Sequence, residues 1–231
     1  KEKSDLNAAI TSYKQAINLK PNYPDAHYNL SHALLLAGQY QTGWVEYEYR
    51  SQKIQNAAIP HASPKVQKWQ GENLKSGEKL LVVSEQGLGD TIQFMRYIPH
   101  LRHKGVDVSF AAQTKLHSLI QASNIDTNPL TPEQANSVTE GKWIPLLSIP
   151  RYLGVTPENP IVSTPYLSTT DVLINKWKDL LSTETKPIIG INWQGNPQME
   201  QDYKGRSISL EIFARIFQKN KLCHARSARG R

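Results

Sequence analysis

Two stretches of the chain hold residue types and spacings that could do chemistry. The first is Glu85-Gln86-Gly87-Leu88-Gly89-Asp90, which comes after the apolar run Leu80-Leu81-Val82-Val83 and precedes a helical pattern. Gly87 and Gly89 let the backbone turn tightly and approach a ligand closely. Asp90 falls where the helix should begin. There its carboxylate can cap the helix or point into the crevice at the carboxyl end of the strand. The second stretch is the polar loop from Gln194 to Ser207, which ends in Arg206-Ser207 ahead of an amphipathic run. Backbone N–H groups, the Ser207 hydroxyl and the Arg206 guanidinium converging at a helix start suit a phosphate. Ser207 as a simple N-cap beside a solvated loop accounts for the same residues equally well.

The elements around these stretches alternate. Strand one ends at the glycine turn, and Ile92, Met95, Ile98 and Leu101 predict a helix over 91–103 that Gly105 ends. Val106–Ala111 alternates as a second strand, and Leu116, Leu119 and Ile120 mark a helix. Ile125-Asp126 and Lys142-Trp143-Ile144 read as short strands, and Ile149–Gly154 as a short helix or turn. A helix over about 170–182 leads to Pro187. The pattern then restarts with a buried strand, Ile188–Trp193, and a helix over 208–220 with Leu210, Phe213, Ile216 and Phe217 on one face. Alternation at this spacing predicts a parallel sheet with its ligand crevice on the Gly87–Asp90 side.

The N-terminal 53 residues differ. Ala9, Tyr13, Ala16 and Pro21 succeed one another at intervals of four, three and five, and Gly43 and Tyr47 repeat the first two 34 residues on. Small–aromatic–small and then Pro resembles the second helix of a tetratricopeptide (TPR) repeat. Helices are predicted over 4–19, 24–37 and 40–52, with the turn at Gly38-Gln39-Tyr40. Arg50 stands where the third small residue belongs. So few repeats serve either as a peptide-binding surface or as a helical adaptor packed on the next domain. Residues 54–78 read as a linker carrying Pro60, Pro64, Gly71 and Gly77, with Trp69-Gln70-Gly71 predicted to dock on the α/β domain.

Bulk properties exclude some classes. Of the net charge of +7, four units come from Lys221, Arg226, Arg229 and Arg231, so the basicity is a tail and no nucleic-acid interface is expected. No apolar run spans a bilayer. The single cysteine, Cys223, provides neither a disulfide nor a cysteine metal site. No signal peptide is visible, but the sequence starts at Lys1 rather than Met, which leaves a removed leader open; a cytoplasmic location is the expectation. The segment 221–231 has neither strand nor helix periodicity where an α/β protein should supply a strand, which points to a truncation or a frame change near residue 221, with a genuine disordered basic tail as the alternative.

Taken in order, the TPR-like helices, the Trp69-Gln70-Gly71 linker, Glu-Gln-Gly-Leu-Gly-Asp after a strand, and Asn192-Trp193-Gln194-Gly195-Asn196-Pro197 with Asp202 and Arg206-Ser207 beyond it resemble a bacterial family. Its members are TPR proteins with a glycosyltransferase family 9-like domain, similar to the lipopolysaccharide heptosyltransferases. The resemblance covers about residues 5–220. It implies an α + α/β chain: TPR hairpins over 1–53, the linker 54–78, and a Rossmann-like N-terminal (acceptor) lobe of a GT-B fold over 79–168. A connecting helix over 169–186 and the first βα unit of the donor lobe over 187–220 would come next, then the tail 221–231. It further implies metal-independent, inverting transfer of a sugar from a nucleotide-sugar, as substrate rather than cofactor, to a hydroxyl of a glycan, lipid-linked or protein acceptor. Asp90 takes the role of general base and Arg206, with Ser207, the donor phosphate. Glu85 and Gln86, with Gly87 and Gly89, shape the turn or touch the acceptor. An Asp is a competent base where burial and hydrogen bonds hold it near the hydroxyl, and a cation at a helix start stabilises a leaving diphosphate without a metal.

The residues that would bind base and ribose, on the order of 100 further residues of a complete lobe, are not in the sequence, so the chain as it stands is expected to be inactive. The competing expectations are a non-catalytic TPR interaction module with a relic α/β lobe, and a dinucleotide-binding enzyme. The second lacks Gly-x-Gly-x-x-Gly, since position 92 is Ile.

Overall fold

The computed structural model describes residues 2–53, 59–162 and 164–185, together with 209, 211 and 212. The predicted strand 188–193, the helix over 208–220 apart from those three residues, Arg206, Ser207 and the tail lie outside the described residues. The chain divides into two compact units, Lys1–Ile174 and Asn175–Arg231. The first holds both the N-terminal helices and an α/β lobe, giving a mixed α plus α/β architecture.

Helices α1 (Glu2–Leu19), α2 (Pro24–Leu36) and α3 (Tyr40–Tyr47) open the chain, and α3 tightens into a 3-10 turn over Glu48–Gln52. Pro24 sits in the first turn of α2, where its missing N–H costs nothing. Ile10, Leu30, Ala33 and Leu34 are buried between α1 and α2, with Leu6, Tyr13 and Ile17 around them. Gly43 lets α3 approach α2, because a Cβ there would come within 2.8 Å of Leu35 Cγ.

The sheet is parallel, with strand order β1-β4-β2-β3, made of β1 (Gln67–Lys68), β2 (Lys79–Val83), β3 (Asp107–Ala111) and β4 (Lys142–Pro145). Lys79–Val83 pairs in register with Asp107–Ala111, and Leu80–Val83 with Lys142–Pro145. Central β2 buries every residue after Lys79. Leu80 and Val82 join Phe110, Ile144, Ile98, Leu101 and Ile120 on one face, while Leu81 and Val83 meet Ala62, Ala111 and Ala135 on the other. A strand covered on both faces has to be continuously apolar, which is why this one shows no alternation.

Three local readings of the sequence give way. The helix predicted over 91–103 is two helices, α4 (Leu88–Phe94) and α5 (Tyr97–His103). Pro99 clashes with the carbonyl four residues back, Met95, and the helix breaks there. Ile125-Asp126 forms no strand; the Asp126 carboxylate instead takes an Arg102 hydrogen bond at 2.5 Å, and the bridge to β3 comes at Leu130. Part of the predicted linker is sheet: β1 pairs with β4, and the Trp69 N–H donates to the Trp143 carbonyl at 2.7 Å. The Trp69 indole is buried with its ring centroid 5.0 Å from that of Tyr152. Gly71 takes φ +97 and packs so tightly on Tyr152 that a Cβ would fall 2.4 Å from the ring.

Among the remaining elements are α6 (His117–Ala122), α7 (Pro132–Asn136), α8 (Ile149–Leu153) and α9 (Asp171–Leu181). No helix among the described residues is long and apolar enough to cross a membrane.

Candidate functional site

Strand β2 has β3 on one side and β4 on the other, so the strand order reverses at β2. A crevice at the carboxyl ends of β2 and β4 is where an open α/β sheet binds its ligand. The chain leaves β2 through Ser84, Glu85 and Gln86, and leaves β4 through Leu146, Leu147 and Ser148. These two segments form the walls of the crevice.

The sequence-predicted residues sit on the first wall. Gln86 adopts φ 60, while Gly87 is extended at φ −85 and a Cβ at Gly89 would meet only open space. The left-handed residue of the turn is therefore Gln86 and neither glycine. Gly87 is the N-cap of α4, and Asp90, at the third helical position, reaches back so that its Oδ2 accepts the Gly87 N–H at 3.0 Å. Of the two roles open to Asp90 in the sequence, capping is made in this conformation; Oδ1 has no partner among the described residues. Asp90 is half-buried, whereas Gly87, Leu88 and Gly89 are exposed. Behind the turn, the Gln113 amide donates to the Gln86 carbonyl at 3.4 Å and its oxygen accepts from buried Thr91 Oγ1 at 2.9 Å. His61 approaches from the other side, its Nδ1 2.9 Å from Ser84 Oγ.

Glu85 points away from this exposed surface. It is 1% exposed and lies in a fork-to-fork pair with Arg50, Nε to Oε2 at 3.0 Å and Nη2 to Oε1 at 2.7 Å. Oε1 also accepts the Leu147 N–H at 3.1 Å. Arg50 Nη2 donates to Ser148 Oγ at 2.8 Å, and Nη1 donates to Glu48 Oε1 at 3.0 Å and to the Tyr47 carbonyl at 3.2 Å. Ser148 closes the ring by donating to Glu48 Oε2 at 3.0 Å. Burial alone would pull the Arg50 pKa down; the charge and hydrogen bonds of Glu85 more than reverse that and hold it above its ordinary value. Burial pushes the Tyr47 phenol well up, so it stays protonated as it accepts the Gln86 amide at 3.4 Å.

The guanidinium thus fills the crevice from the N-terminal helices. Trp44, Tyr47 and Arg50 are spaced three apart and face the α/β lobe along α3 and its 3-10 extension. Trp44 Nε1 donates to the Val155 carbonyl at 3.0 Å, and its ring meets Phe94 edge-on at 6.2 Å. The signal for this contact was in the sequence: an Arg replacing a small TPR residue in register with two aromatics, and a lone carboxylate just after a fully apolar strand.

Arg206 and Ser207 lie outside the described residues. No group of three or more His, Cys, Asp or Glu side chains converges to hold a metal ion among the described residues. A shallow groove between Lys79–Leu81, Asp107, Ser109 and Ser137–Glu140 opens at the amino ends of β2 and β3, at the opposite end of the sheet from the turn.

Comparison with known proteins supports the N-terminal part. Residues 1–38 match the TPR repeat family, so the chain carries a TPR repeat, a fold that supports protein–protein interaction. Protein FlbA of Caulobacter vibrioides is 35% identical over 68 residues, a match covering 29% of this chain. The chain covers 11% of the length of that relative. No solved structure matches the chain.

Proposed function

We propose that the α/β lobe is the acceptor side of a TPR-linked glycosyltransferase. The activity would be metal-independent, inverting transfer of a sugar from a nucleotide-sugar to an acceptor hydroxyl. The observation that carries this reading is the position of the Gln86–Asp90 turn. It lies at the carboxyl end of the central strand, at the point where strand order reverses, with a half-buried carboxylate beside an exposed glycine-flanked surface. In this reading Asp90 keeps Oδ2 on the Gly87 N–H and takes the proton of the acceptor hydroxyl through Oδ1. Arg206 and Ser207 stabilise the departing diphosphate. The TPR helices recruit a protein partner, and the compartment is the cytoplasm.

The test is label transfer by the protein isolated from its native source, offered UDP-, GDP-, ADP- and CMP-linked sugars together with its cell extract as acceptor. The expected result is transfer from one donor class, reduced about 10²–10⁴-fold in Asp90→Asn. That variant keeps an oxygen for the cap while losing the base. Transfer that survives Asp90→Asn sinks the base assignment. Absence of transfer from every donor leaves the second reading, a non-catalytic interaction module. The TPR repeat match and the occupation of the crevice by Arg50 favour that reading.

A further inference from the structure

Arg50 belongs to the helical segment, yet all the groups its side chain hydrogen-bonds outside that segment lie on the two walls of the crevice. Glu85 is the residue immediately before Gln86, the left-handed residue that sets the direction of the turn. A non-glycine residue at positive φ is held there only when its surroundings over-determine it. Here Glu85 is fixed on one side by three hydrogen bonds, two from Arg50 and one from the Leu147 N–H. Gln86 is fixed on the other by Gln113 and by the Tyr47 hydroxyl. Two of these clamps, Arg50 and Tyr47, come from the helical segment.

We infer that Arg50 is a positioning residue: through Glu85 it sets the geometry of the Gln86–Asp90 turn, so that the N-terminal helices and not the sheet alone fix where the Asp90 carboxylate lies. What that turn does rests on the transferase reading above; the coupling between Arg50 and the turn does not.

Two measurements on the full chain separate the positioning role from a purely structural one. The first is amide hydrogen exchange in Arg50→Lys and in the double variant Arg50→Met/Glu85→Met. The double variant removes both buried charges together and so keeps the fold stable. The expected result is exchange about tenfold faster or more at Gly87 and Thr91, with protection at Leu81 and Val82 in β2 unchanged. Native-like protection of the turn in the double variant overturns the inference. Equal acceleration in β2 and the turn does the same, because it reports only a weaker fold. The second measurement uses the transfer assay. Arg50→Lys is expected to lower kcat by roughly 10²-fold with KM for the nucleotide-sugar unchanged, since the turn holds the base and not the donor. An equal rise in KM with kcat intact overturns it. If the wild-type protein transfers no sugar, the transferase reading fails while the exchange result still decides the coupling.

Discussion

Replacing Arg50 by Met should be among the most damaging single substitutions in the chain, and the structure says why. The change removes five hydrogen bonds, two to Glu85 and one each to Ser148, Glu48 and the Tyr47 carbonyl. More costly is what remains. Glu85, 1% exposed, keeps only the Leu147 N–H. Breaking a buried pair by deleting one partner costs about 3–5 kcal/mol, because an uncompensated charge is left behind. For a unit of this size that lowers Tm by roughly 6–20 °C. Deleting both charges has a different outcome. Arg50→Met/Glu85→Met trades the pair for apolar side chains of similar length, which is often neutral or better. The double variant should lie within about 1 kcal/mol of the native protein, giving a coupling of at least about 2 kcal/mol in a double-mutant cycle, larger by whatever Glu85→Met costs on its own. Urea or thermal melts monitored by circular dichroism at neutral pH measure all four corners. A cost under about 1 kcal/mol for Arg50→Met, or simple additivity in the double variant, would refute the reasoning. Either outcome would mean that the pair behaves as a solvent-exposed one.

Packing and burial set two further outcomes. Gly71→Ala should destabilise by more than about 1 kcal/mol: φ +97 is unfavourable for alanine, and its Cβ would overlap the Tyr152 ring. An unchanged melt would show that the loop relaxes freely around Trp69. The second concerns acid sensitivity. Burial, then Lys104 and His103, hold the His100 pKa below its ordinary value of 6.5, and Nε2 is buried without a partner among the described residues. A histidine depressed on folding binds its proton more readily when unfolded. Its stabilising effect is therefore full above about pH 6.5 and is lost as pH falls through the depressed value. His100→Gln should flatten that part of the stability–pH curve, and an unaltered acid slope would show that other groups carry it.

The sequence made the central strand and the turn after it legible for a physical reason. A strand buried on both faces must be apolar throughout, and a chain leaving it at a switch point must turn sharply. Boundaries that depend on one atom were harder to read. The Met95 break comes from the ring of Pro99, which the apolar spacing of Ile92, Ile98 and Leu101 conceals. Thr131-Pro132-Glu133-Gln134 carries a capping-box pattern, with Thr131 Oγ1 accepting the Gln134 N–H at 3.3 Å and Gln134 reaching back to the Thr131 N–H at 2.8 Å. It starts α7 without an apolar run to announce it. Strand β1 is two polar residues long, and only the pairing with β4, far along the chain, makes it a strand. Asp126 looked like the end of a strand because Ile125 is apolar; its charge belongs to Arg102.

The ion pair in the crevice explains two anomalies that each look wrong alone. A helix that stacked another repeat against its inner face would need a small residue at position 50, where helix–helix approach is close. Arg50 is incompatible with that neighbour and turns the helix face toward the sheet instead, in line with Trp44 and Tyr47. A carboxylate two residues beyond the buried run Leu80–Val83 would be as unfavourable without a partner, and Glu85 has no other cation within salt-bridge reach among the described residues. Neither residue is stable in its place without the other. The repeat and the lobe are therefore joined by more than a linker. A perturbation that shifts the 3-10 turn over Glu48–Gln52 must either carry Glu85 with it or leave a buried charge unpaired. The second alternative costs several kcal/mol, so the turn should move with the helices.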